Sequence, residues 1–166
     1  MGLFPLGLIS QGGGGNGGGA FELISTTISD GSIQSVTFSS ISSTYKHLQL
    51  RITANANLAT RYHKITFNGS ATGYRDHKLY GNGSSVTSTD STPSADAGVA
   101  VTTLNDVPSS TNHFGAVIMD ILDYGNTNKN KTVRALSGAA SAVNQIMLSS
   151  DLWANTVAIT SLTVLS

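Results

Sequence analysis

Nine acidic side chains, four histidines and an abundance of serine are the material for chemistry in this sequence. A Ser–His–carboxylate triad needs three such groups brought together. Serine is so common here that its presence carries no signal, and no GxSxG elbow occurs. His47, His63, His77 and His113 lie 14 or more residues apart, so none forms the close pair that puts two ligands on one strand or helix face. Three of them adjoin a lysine, in Lys46-His47, His63-Lys64 and His77-Lys78, and a neighbouring cation disfavours a metal. Glycoside hydrolysis wants two carboxylates roughly 5 to 10 Å apart. Glu22 is the sole glutamate, and Asp120 and Asp123 on a strand point to opposite faces. Asp120 reads instead as a buried hydrogen-bonded acid or an interface residue. The acids of the Asp90 to Asp96 loop lack the EF-hand pattern. The glycine tract GGGGNGGG lacks the Lys-Ser or Lys-Thr of a phosphate-binding loop. Tyr62, Tyr74, Tyr80, Tyr124 and Trp153 are spread out and read as core or rim, with glycan binding left open. These patterns predict no catalytic residue, no cofactor and no metal site.

Composition narrows the partners. Nine Lys plus Arg balance nine Asp plus Glu, and charged residues are 11% of the 166, against about 25% in ordinary globular chains. A phosphate-binding surface needs clustered cations. The tightest group here, Lys129, Lys131 and Arg134, is small and reads as a solvated loop, so no nucleic acid is expected. With so little charge, solubility does not rest on repulsion, which suits a chain living in an assembly. There is no cysteine, which fits synthesis in a reducing cytoplasm. The opening MGLFPLGLIS lacks a basic leader region, and no run approaches the roughly 20 apolar residues of a membrane helix, so no membrane partner is expected.

Two units must position whatever these residues do. Residues 1–19 are an apolar arm, carrying Leu3, Phe4, Leu6, Leu8 and Ile9, followed by a tract with seven glycines in ten residues. Glycine loses the most backbone entropy on ordering, so the tract reads as a tether able to span about 30 Å at roughly 3.3 Å per residue. The five apolar side chains then read as a partner-docking arm, the competing reading being an arm folded back onto its own domain. Residues 20–166 read as one β domain. AFELISTTI and SIQSVTFS flank Asp30-Gly31, a hairpin signal. Leu48, Leu50 and Ile52 alternate with polar residues in a half-buried strand. Residues 81–98 read as a surface loop, and 113–123, HFGAVIMDILD, as a central strand buried on both faces. KTVRALSGA and TVAITSLTV are further strands, and 144–154 fits a strand or a helical turn. About eight strands without a long helix predict an all-β fold: an antiparallel β-sandwich of jelly-roll type with an extended N-terminal arm.

The runs AFELIST, VTFSSISSTYKHLQLR at 36–51, ITFNGSATGYRDHKLYGNGSS at 65–85 and SSDLWANTVAITSLTV at 149–164 together resemble a recurring family of tailed-bacteriophage virion proteins. The resemblance covers most of the chain and carries no catalytic residues. It implies a structural role in the virion, after synthesis in the host cytoplasm: a capsid-decorating or cement protein, or a head-fibre or tail-fibre module that binds host-surface glycan. Its implied partners are the major capsid protein or tail proteins, and further copies of itself as a dimer or trimer. Relatives in that family continue past the final SLTV with a further turn and strand.

Overall fold

The structure, a computed structural model, describes residues 4–11, 21–29, 35–54, 63–91, 98–101, 114–139 and 145–165. They form twelve strands: β1 Phe4–Gln11, β2 Glu22–Ser29, β3 Ser35–Phe38, β4 His47–Ala54, β5 His63–Phe67, β6 Tyr74–Gly81, β7 Val86–Ser91, β8 Val99–Val101, β9 Gly115–Leu122, β10 Lys131–Ala139, β11 Gln145–Trp153 and β12 Leu162–Leu165. An eight-stranded sheet runs β2-β1-β4-β9-β10-β11-β6-β7, and a four-stranded sheet runs β3-β12-β5-β8. Every pairing is antiparallel. The fold is all-β with two antiparallel sheets.

Period-two alternation explains the large sheet. In β10, Lys131, Val133, Ala135, Ser137 and Ala139 are buried while Thr132, Arg134 and Leu136 are exposed. In β11, Gln145, Met147, Ser149, Asp151 and Trp153 are buried while Ile146, Leu148 and Ser150 are exposed. Strands of this kind bury one face and leave the other to solvent or a partner. One apolar cluster draws on both sheets: Leu50, Met119, Ile121 and Val133 from the large sheet, and Phe38, Ile65, Phe67 and Leu162 from the small one. Trp153 and Tyr74 stack at 6.1 Å between ring centroids, and Phe67 packs 5.7 Å from Trp153. Such ring pairs contribute about 0.5–1.5 kcal/mol each beyond their burial.

Short polar side chains hold the turns. Asn68 takes a φ of 52° and Gly69 a φ of 67°, the left-handed conformations an Asn-Gly turn requires. The Asn68 Oδ1 accepts from the Thr160 and Ser161 amides, and its Nδ2 donates to the Ala158 carbonyl, so this turn also pins the approach to β12. Gly98 is required for closeness: its φ is 105°, and a Cβ there would sit 2.6 Å from the Ile65 carbonyl oxygen.

Four expectations change. Asp30-Gly31 does not join a hairpin: β2 pairs with β1 in the large sheet and β3 with β12 in the small one. The turn residues lie outside the described set, but their flanking strands part company because the core needs both sheets. The 81–98 excursion holds a strand, since β7 pairs with β6 after an Asn82-to-Ser85 turn. The central strand β9 is buried on one face only. Lys131 is not in a solvated loop but fully buried. The stretch 144–154 resolves as β11, and β12 is an interior strand paired on both sides.

Candidate docking surfaces and buried polar groups

The apolar arm supplies strand β1. Its backbone pairs with β2 on one side and β4 on the other, with Leu8 opposite both Ser25 and Leu50. The Leu8 side chain is fully buried in the core. Leu3 and the side chains of Phe4, Leu6 and Ile9 lie outside the described residues. The arm places β2 at the edge of the large sheet, where Leu23 and Ile28 are exposed and Phe21 lies under the Arg51 guanidinium at 5.9 Å.

The outer face of the large sheet carries the main apolar surface. Ile118 on β9 is the register partner of Leu136 on β10, Leu136 of Leu148 on β11, and Leu148 of Leu79 on β6. These four aliphatic side chains form one row across four strands and stand 46%, 50%, 54% and 49% exposed. The neighbouring row reads Ala116, Gly138, Ile146, Gly81 and Val86. Ile146 and Val86 project there, and the two glycines leave gaps. The gaps open into a shallow groove of about 990 Å³ whose walls include Phe114, Ile118, Leu136 and Ile146. On the other side of the aliphatic row lies a polar one: Gln49, Asp120, Arg134, Ser150, His77 and Asp90. Within it, Gln49 donates to Asp120 at 2.9 Å and Arg134 lies 3.6 Å from the same carboxylate. Isolated exposed aliphatics are ordinary, but a contiguous set rimmed by polar groups marks an interaction face. The sequence carries its signal: in AVIMDIL and IMLSSDL both strand faces hold large apolar residues, and only one of them lies in this chain's core.

Titratable groups behave by location. On the inner face, Asp151 is buried and accepts from Ser149 Oγ at 2.7 Å, while its other oxygen meets no donor among the described residues. Burial, opposed in part by the Ser149 hydrogen bond, pushes this carboxyl up to about 7. Its cross-strand partner Asp76 is ion-paired with Lys78. Asp151 went unnoticed in the sequence, though an acid sharing parity with Met147 and Trp153 on one strand is the signal for it. Lys131 Nζ donates to three carbonyls, those of Asn126, Lys129 and Thr156, and burial lowers its pKa. His63 is buried beside the Leu165 carbonyl, with its pKa lowered by desolvation. Asp123 is held below the usual carboxylate range by Lys129 and Lys46.

Of the aromatic candidates, Tyr74, Tyr124 and Trp153 are core residues, Tyr80 is half-buried, and Tyr62 lies outside the described residues. Among the described residues no three His, Asp or Glu side chains converge as a metal site, and no helix is long and apolar enough to cross a membrane. No family model, no curated protein and no solved structure matches this chain.

Proposed function

We propose that this chain is a non-enzymatic structural module of a tailed-phage virion, serving as a capsid-decorating protein that holds its place through surface contacts and its N-terminal arm. The observation that carries the reading is the aliphatic row Ile118–Leu136–Leu148–Leu79, half-exposed on a broad sheet face and bordered on one side by a polar row. The resemblance of the sequence to virion proteins supplies the setting. Strand order supports a jelly-roll sandwich as the body. Setting aside the hairpins β1–β2 and β10–β11 leaves β4-β9-β6-β7 and β3-β12-β5-β8. Following the chain through these eight strands, β3, β5, β8 and β12 fall in one sheet and β4, β6, β7 and β9 in the other. That distribution supports the jelly-roll reading, an architecture used by capsid and lectin domains.

Arm docking on this body takes the form of strand exchange. On a crowded lattice the place between β2 and β4 can take a β1 segment from a neighbouring copy in place of its own, because the glycine-rich 12–20 tract sets few conformational demands. Many such weak links act together on a shell, and a protein that binds only the assembled lattice stabilises it by mass action. Purified particles provide the test. Hundreds of copies per particle on a stained gel support the decorating role. A handful moves the chain to a head or tail fibre, and absence from particles overturns the virion reading.

A further inference from the structure

We infer that the outer face of the large sheet binds a second copy of this chain, face to face, about a two-fold axis parallel to the strands and lying over the seam between β10 and β11. The proposal holds whether or not the chain decorates a virion. It rests on self-complementarity across that seam. A two-fold there sets β10 against the partner's β11, β9 against its β6, and β4 against its β7, while each lateral row meets itself in reverse order.

Each row then meets a suitable counterpart. In the aliphatic row, Leu136 faces Leu148 and Ile118 faces Leu79, each contact made twice by symmetry. In the next row, Ile146 faces Gly138 and Gly81 faces Ala116, so the projecting side chain enters the gap left by a glycine. In the polar row, Asp120 faces His77, Arg134 faces Ser150, and Gln49 faces Asp90, with Arg51 one row away from Asp90. No like charges are opposed. A two-fold perpendicular to the strands lacks this match, because it sets the polar row against Gly138 and Ile146.

The area is sufficient. Six strands about 4.8 Å apart and about 27 Å long present on the order of 800 Å², the share each partner contributes to a standard stable interface.

The test is the mass of the full-length chain by sedimentation velocity at about 100 µM, well above the weak end of affinities for interfaces of this size. Wild type is expected at twice the chain mass of 17.1 kDa. Ile118→Asp and Leu79→Lys each replace a half-exposed side chain, leave the fold intact by circular dichroism, and are expected at 17.1 kDa alone. Mixed in equal amounts, they are expected to return to twice that mass. The carboxylate introduced at position 118 of one copy then meets the ammonium introduced at position 79 of the other, while the second contact stays Ile against Leu. Positions 118 and 79 lie three strands apart within a chain, so the rescue arises only between copies. A monomeric wild type, an oligomer of any other order, variants that remain dimeric, or a mixture that stays monomeric would each overturn the proposal.

Discussion

Asp151 and Lys131 show two ways in which this molecule tolerates a buried ionisable group. Lys131 keeps its ammonium among three backbone carbonyls, so its hydrogen bonds are met inside the fold. Asp151 has one serine donor, and burial raises its carboxyl from 3.8 to about 7. Between those values the folded chain holds a proton that the unfolded chain has released. Stability therefore falls as pH rises through that window and is level above it. Asp151→Asn is expected to flatten this slope. The variant gains on the order of a few kcal/mol over wild type at about pH 8 and almost nothing at about pH 4, read by urea denaturation at both. A gain equal at both pH values would mean that packing, not ionisation, is responsible. His63 works in the opposite sense: its lowered pKa makes stability fall as pH drops below its ordinary 6.5. Both residues were hard to read in the sequence, because burial of a polar group depends on which strands cover it. The alternation in QIMLSSDLW does place Asp151 on the Trp153 face once the inner face is known.

Strands themselves were legible, and their partners were not. Alternation in HLQLRITA and KTVRALSGA marks β4 and β10, while the Asp30-Gly31 turn suggested a β2–β3 pairing that the core divides between two sheets. The run GAVIMDIL shows why a mostly apolar strand is ambiguous. Its apolar residues fit burial on both faces, yet Ile118 stands half-exposed in the outer aliphatic row. The arm poses the same question of where an apolar segment is buried, and it can be settled at the scale of one strand. Gly7 and Arg51 are cross-strand partners between β1 and β4, at a spacing that a disulfide bridges. The chain has no cysteine of its own, so a Gly7→Cys, Arg51→Cys double variant reports only this contact. Oxidised in dilute solution it is expected to run as a single chain on a non-reducing gel. Oxidised after attachment to particles it is expected to run as covalent multimers, because β1 then comes from a neighbour. Single chains under both conditions would remove arm exchange from the proposal and leave the sheet face as the docking element.

At the scale of the whole molecule, stability rests on pairings between distant parts of the chain. The small sheet is built around β12, the last strand, which joins β3 from near the start to β5 from the middle. Leu162 and Val164 fill the core beside Phe38, Ile65 and Phe67. Asn68 fastens the preceding segment at three backbone groups, so the approach to β12 is fixed before the strand begins. Topology of this kind gathers its reward late, since long loops must close before the central strand is seated. The molecule should therefore behave as one cooperative unit, with the large sheet unable to keep its inner face dry alone. A chain ending at Ser161 tests this. It is expected to lose its cooperative thermal transition and to bind a hydrophobic dye, because β3 and β5 lose their shared partner and the inner face of β4 and β9 loses its cover. A truncated chain that still melts in one sharp transition at the wild-type temperature would show the eight-stranded sheet to be self-sufficient. In that case the four-stranded sheet would be an appendage to the fold, and the jelly-roll reading, which needs both sheets to share one core, would fall with it.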